Sequence, residues 1–471
     1  MDSWKLILFS VYQIFVVMAI IHVILDNRQP AKTMAWALVI WFVPVVGIVF
    51  YLFFGINTRK ERYVSERTMN LLTKRSMLEF AEQQNLRLPE RHRSMIDLFV
   101  NQNLALPFKD NEVGIITGGH EFFTSLLADI RKAKSHIHMS MYIFSDDALG
   151  RLVADALIDR VREGVEVRVV YDDVGCWNVK HRFFERMREE GIEAVPFMPV
   201  HFPQFTSKVN YRNHRKIIII DGQTGYIGGM NIAMRYVRDS WRDTMLRVTG
   251  GGVYALQRAF LVDWYFVDRS LLSDRKYYPP IAEDQPVNDT ISQVVTSGPV
   301  TPYPEIMQGF VRIILGARKY LYLETPYFLP TDSVLFALKT AALAGVDVRV
   351  LCPMHSDARF VEWASRSYLR EAVEAGVQVS LYQKGFLHSK LLVCDDAIAT
   401  CGSTNLDFRS FENNFEANIF FYGEDIALRM KNVFMKDMEQ SVLLTDVPSR
   451  MSKKISVRLW ESLTRMLSPL F

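Results

Sequence analysis

The chain has 471 residues, and its 55 Lys plus Arg nearly balance its 52 Asp plus Glu, so bulk charge supplies no nucleic-acid footprint and any anion site must be local. That length can bury two or three cores. The four cysteines (Cys176, Cys352, Cys394, Cys401) form no CxxC pair and no zinc spacing, and are expected to be buried, reduced thiols.

The first element is apolar. Residues 6–25 carry no formal charge apart from a titratable His22, and residues 34–55 form a second apolar stretch containing Pro44 and Gly47. Each is long enough to cross a hydrocarbon core, and the link between them is short. A cleaved signal peptide is disfavoured, because no small-residue cleavage site follows and a second apolar stretch comes almost at once. The expectation is a transmembrane hairpin over residues 1–57. Arg59, Lys60, Arg62, Lys74 and Arg75 outnumber Arg28 and Lys32 of the link, which places everything after residue 56 on the cytoplasmic side. Residues 58–108 read as a juxtamembrane linker, with residues 59–75 as a solvated helix.

From residue 110 strands and helices alternate, and they do so twice. Residues 136–144 are strand-like, 148–164 have helical periodicity, and 165–172 are strand-like again; residues 319–328 and 333–353 repeat the order. Gly164 and Gly345 close the two helices at equivalent points. Strand–helix–strand order implies parallel strands with right-handed crossovers. The expected halves are 109–275 and 276–445, with a polar, Pro-containing connector over 273–293 and a tail over 446–471.

Within each half one segment stands out. "NHRKIIIIDGQTGYIGGMN" (213–231) returns as "LHSKLLVCDDAIATCGSTN" (387–405). His214, Lys216, Asp221, Gly228 and Asn231 map on His388, Lys390, Asp395, Gly402 and Asn405, all five with one constant offset. A purely structural duplication would keep apolar and glycine positions; it has no reason to keep a His, a Lys and an Asn. Four isoleucines in a row read as a strand buried on both faces, and alternation points His214 and Lys216 the same way where that strand begins. Both are costly to bury without partners, so an anion is expected there. Asp221 and Asp395 have the opposite parity and are expected to close the strand ends with backbone hydrogen bonds.

His-x-Lys-x4-Asp, present twice with Gly-Gly or Gly-Ser and Asn behind it, resembles the phospholipase D superfamily over residues 110–440. The hairpin ending "PVVGIVFYLFFG", together with "NYRNHRKI", "WRDTMLRVTG" and "ETPYFLP", is similar to bacterial cardiolipin synthases and extends the likeness to the whole chain. The resemblance implies an α/β fold, in which the transmembrane hairpin precedes two halves packed about a pseudo-twofold around one shared active site. It also implies metal-independent chemistry without a cofactor, in which phosphatidylglycerol is joined to a second phosphatidylglycerol to give cardiolipin and glycerol. The first-half histidine is the expected nucleophile.

Phosphodiester exchange needs a nucleophile, an acid for the leaving alkoxide and positive charge around phosphorus. One neutral and one protonated histidine meet the first two needs. Lys216 and Lys390, with the amides of Asn231 and Asn405, are expected to cradle the non-bridging oxygens. Each ring needs a partner to fix its tautomer. Asp243 follows His214, and Glu416 follows His388, at nearly the same distance along the chain, and these carboxylates are expected to be the orienters. Gly229 stands where the second half has Ser403, so one side lacks a hydroxyl.

Residues 200–212 join aromatic and basic residues. Phe202 and Phe205 would meet acyl chains, and Lys208 or Arg212 a headgroup phosphate, unless the segment is an ordinary loop. In the tail, Ile455, Leu459, Leu463, Met466 and Leu467 share a helical stripe, with Lys453, Lys454, Arg458 and Arg465 mostly elsewhere. That suits either a helix on anionic lipid or one packed on the catalytic body. The remaining histidines, His136 and His138 included, receive no role. The expected setting is the bacterial inner membrane, multi-pass, with anionic lipids and no nucleic acid as partners and self-association as an option. A phospholipase D or headgroup exchanger, a superfamily nuclease and a non-catalytic membrane scaffold are the competing readings.

Overall fold

The computed structural model describes residues 3–26, 30–55, 86, 88–200, 210–238, 240–280, 290–451 and 454–470. The expected juxtamembrane helix, the segment holding Phe202, Phe205 and Lys208, and residues 281–289 of the connector lie outside these residues. The chain forms two compact units: residues 1–62 with 200–211, and 63–199 with 212–471.

In the smaller unit, the helix Ser3–Leu25 packs along Pro30–Phe42, which is followed by Pro44–Phe50 and a π-helical turn, Tyr51–Gly55. The second apolar stretch is therefore not one straight helix. It breaks at Val43, because Pro44 has no N–H to donate and starts a new helix. Of the described helices, only the first is long and apolar enough by itself to cross a membrane. A small core of Val16, Val23, Ile40 and Tyr51 holds the pair together. Their other apolar side chains, such as Ile7, Phe15, Trp41 and Val45, face outward, the reverse of a soluble domain's pattern.

The larger unit contains two mixed sheets of one topology. The first comprises β1 (Glu112–Ile116), β2 (His136–Met141), β3 (Glu166–Asp172), β4 (Glu193–Phe197), β5 (Ile217–Ile220), β6 (Thr224–Gly228) and β8 (Met245–Thr249), with β7 (Trp241–Arg242) outside it. Its order is β1-β8-β6-β5-β2-β3-β4, parallel only across β2-β3-β4. The second comprises β9 (Ile291–Ser297), β10 (Tyr320–Glu324), β12 (Asp347–Pro353), β13 (Gln378–Tyr382), β15 (Leu391–Cys394), β16 (Ile398–Gly402), β18 (Glu416–Tyr422) and β19 (Ser441–Leu443). The short strands β11 (Phe328–Leu329), β14 (Phe386–Leu387) and β17 (Leu406–Asp407) lie outside it. Its order, β19-β13-β12-β10-β15-β16-β18-β9, matches the first sheet with one strand added.

The local reasons repeat as well. Asp147 caps the helix Ala148–Arg162 by accepting from the Gly150 amide, and Gly164 and Gly345 take φ near +88°, a turn that only glycine makes without strain. The four isoleucines of β5 are buried between β2 and β6, as continuous β-branched text predicts. Each half keeps its own apolar core.

The halves also exchange backbone. β14 of the second half pairs in parallel with β7 of the first, and Asn213 of the first half forms a parallel bridge with Phe415 of the second. The His214 amide donates to the Phe415 carbonyl at 2.9 Å, and the His388 amide to the Arg242 carbonyl at 2.7 Å. Each histidine is thus pinned to the backbone of the other half.

Candidate active site

The strand exchange decides which carboxylate meets which ring. His214 Nδ1 lies 3.0 Å from Glu416 Oε1, and His388 Nδ1 lies 2.6 Å from Asp243 Oδ2. Sequence order pairs each histidine with the carboxylate that follows it; the structure crosses them. Within a neutral ring, Nδ1–H donates to its carboxylate, which leaves Nε2 as the bare nitrogen of each imidazole.

The residue behind the glycine of each motif now has a physical role. A side-chain carbon at Gly229 would overlap the Asp243 carboxylate, which occupies that space. At the equivalent place Ser403 donates its hydroxyl to Glu416. The hydroxyl missing from the first half therefore belongs to the orienting acid, one methylene longer on the other side, and not to the phosphate site.

Burial dominates the electrostatics. It lowers His214 to about 4 and His388 to about 3, with Glu416 and Asp243 respectively opposing the shift. Burial alone would raise both acids, yet Lys390 and His388 hold Asp243 below the ordinary carboxylate range, and His214 and Lys216 do the same for Glu416. Burial takes Lys216 down to about 7, offset by Glu416 and reinforced by Lys390; Lys390 is lowered too. Each histidine feels the lysine of the other half as well as its own, so the two motifs lie close enough to interact. Lys216 Nζ donates to the His214 carbonyl at 2.6 Å, and Lys390 Nζ sits 2.9 Å from His388 Nδ1 and bonds the His388 carbonyl. An ammonium has three donors, so each retains capacity for an anion. Tyr142 edges against His214 and Trp241 against His388, with ring centroids 4.9 and 5.5 Å apart.

Other expected site residues lie elsewhere. Asp221 and Asp395 take φ of 54° at the far ends of β5 and β15. Asp221 accepts the amides of Lys134, Ser135 and His136; Asp395 accepts those of Arg318, Lys319 and Tyr320. These motif aspartates clamp the start of β2 and β10 and do not reach the histidines. The Asn231 amide donates to Tyr236 Oη at 2.8 Å and its oxygen accepts from the Ile143 amide, so this side chain braces loops. Asn405 is turned toward Asp407. Arg212 is 2% exposed with Nη1 3.6 Å from Asp172, so it is a buried partner of an acid and not a headgroup ligand at a surface. His136 and His138 are buried in β2 and joined through Gln257.

Sequence reasoning missed a shell of buried charge behind each motif. In the first half Arg215 bonds Asp263 and the Glu416 carbonyl, and Asn213 and Ser140 also donate to Asp263. In the second half the position of Arg215 is held by Ser389. The arginine comes instead from β7 across the exchange: Arg242 Nη2 lies 2.6 Å from Asp437 and 4.0 Å from Glu324. Burial, with Asp437 adding to it and Arg242 opposing, raises Glu324 to about 8. Asp263 and Asp437 are separated by the same offset that relates the two motifs, and that was the available signal.

Comparison with known proteins finds likeness over the whole chain. A family model described as "Cardiolipin synthase, PLD-like domain" matches residues 126–264 and 310–438, and one described as "Phospholipase_D-nuclease N-terminal" matches residues 14–55. A cardiolipin synthase of Oceanobacillus iheyensis is 37% identical over 100% of both chains. The major cardiolipin synthase of Bacillus subtilis is 37% identical over 98% of this chain and 99% of its own. Among solved structures, a phosphatidylserine synthase of Haemophilus influenzae aligns with a TM-score of 0.62 at 15% identity, covering 81% of this chain and 100% of its own; it speaks to fold alone.

Proposed function

The chain belongs to the bacterial cardiolipin synthases of the phospholipase D superfamily, and from that premise we propose that it condenses two phosphatidylglycerol molecules into cardiolipin and glycerol. It is a membrane-associated phosphatidyltransferase. The crossed pairing of two buried imidazoles with Glu416 and Asp243 supports the reading, because it leaves Nε2 bare on two rings that each interact with both lysines.

His214 Nε2 attacks the phosphorus of the first lipid, and the bond from phosphorus to the glycerol oxygen breaks. Protonated His388 gives its proton to that oxygen, and glycerol leaves. The free pocket holds His388 neutral near pH 7; the negative charge of a bound phosphodiester next to Asp243 favours the imidazolium. His388, neutral again, then takes the proton of the second lipid's terminal hydroxyl. That oxygen attacks phosphorus, the P–N bond breaks, and His214 is restored. Lys216 and Lys390 stabilise the charge that gathers on the non-bridging oxygens.

The test is purified full-length protein with phosphatidylglycerol vesicles. Cardiolipin and glycerol in equal amounts are expected; phosphatidic acid as sole product would mean a hydrolase, and no turnover a scaffold. Acid-quenched peptides should carry the phosphatidyl group on His214, and a modified His388 would reverse the assignment. The cytoplasmic placement of everything after residue 56 rests on the charge bias across the hairpin. Protease added to sealed inside-out membranes should digest the catalytic halves, and protection there would refute it.

A further inference from the structure

The helix Ile455–Met466 is built inside out. It packs along the helix Arg359–Glu374, and the face it turns to that neighbour is polar. Glu461 is 1% exposed and paired with Arg370; Thr464 is buried; Arg465 reaches Glu371 at 2.8 Å and stacks over Tyr368 at 4.0 Å. The apolar stripe faces away. Ile455 is 86% exposed and Met466 77%, with Leu459, Leu463 and Leu467 also exposed and Trp460 at the stripe's flank. In water the opposite rotation is favoured, because it would bury five apolar side chains and leave the charges hydrated. Ion pairs instead fix the helix with its apolar side out. Lys454 and Arg458 are exposed on the same helical turns.

We propose that this helix is an interfacial docking surface, its Ile455–Leu459–Leu463–Met466 stripe seated among the acyl chains of an anionic bilayer while Lys454 and Arg458 meet lipid phosphates. The occupant follows from the chemistry. An apolar ridge flanked by basic side chains and a tryptophan matches the boundary between headgroups and acyl chains, and the chain carries its own membrane-associated segment, so a bilayer is at hand. Ion pairs behind the ridge hold it rigidly and resist its collapse onto the body. The inference needs a membrane but not the proposed reaction.

The test uses the full chain reconstituted into vesicles containing anionic phospholipid. All four native cysteines are buried, so a single introduced thiol labels selectively. Leu463→Cys with an environment-sensitive fluorophore should be quenched several-fold more strongly by lipids carrying a nitroxide on the acyl chain than Glu185→Cys, an exposed position in the first half. Replacing the anionic lipid with a neutral one should weaken that quenching. Equal quenching at the two positions would overturn the proposal. So would dipolar coupling between spin labels on Leu463→Cys in two chains, which would assign the ridge to a second copy.

Discussion

Gly229 and Ser403 stand in unequal relation to the acids beside them. Asp243 reaches His388 only because no side chain fills the space at Gly229, so Gly229→Ala should displace the carboxylate and lower kcat by roughly 10²-fold or more, with KM little changed. Ser403→Ala removes one hydrogen bond from Glu416 and should cost only about 10-fold. Steady-state kinetics on the two variants checks the ranking, and an equal loss would contradict it. The depressed histidines also set an acid limit. Below the ordinary imidazole value of 6.5, the unfolded chain binds a proton at each ring that the folded chain refuses until about 4 at His214 and about 3 at His388. Stability should therefore fall as pH drops through that window, by on the order of a few kcal/mol per ring at its foot. Thermal unfolding from pH 7 to 4 should show the slope, and His388→Gln should flatten it.

Among elements, the exchange of β7 and β14 is held by Arg242, whose guanidinium crosses into the second half beside Asp437 and Glu324. Removing it leaves the buried Asp437 without its guanidinium partner, so Arg242→Met should destabilise by about 3–5 kcal/mol, read as a drop in Tm. Glu324 behaves differently. With its value raised to about 8 it holds its proton at pH 7, so Glu324→Gln, which keeps shape and neutrality, should leave Tm and turnover near wild type there. The sign is opposite to that of the histidines. From the ordinary value of 4.5 up to about 8 the unfolded carboxyl has lost a proton that the folded one keeps, so stability falls as pH rises through that range. Glu324→Gln should abolish that alkaline decline, and a variant that declined as wild type does would sink the assignment.

For the molecule as a whole, crossed pairing means that neither half contains a complete histidine–carboxylate pair. A double-mutant cycle tests this directly. Asp243→Asn should add little to the loss from His388→Gln, because both disable one unit, whereas Asp243→Asn with His214→Gln should compound. Pairing within each half predicts the reverse.

Much was legible in the sequence alone. One fixed offset between matching positions identifies two equivalent halves and the histidine and lysine of each. Strand parity separates Asp221 and Asp395 from the rings, because side-chain alternation is a local property of an extended backbone. What the tertiary structure alone decided is which partners meet. Asp243 and Glu416 were nameable as orienters, but their assignment to the opposite histidine depends on strands traded between halves that lie far apart along the chain. The same holds for Arg242, for the demand on Gly229 and for the outward ridge of the last helix. Periodicity tells that a helix has an apolar side; only the partners packed against it choose the direction that side faces.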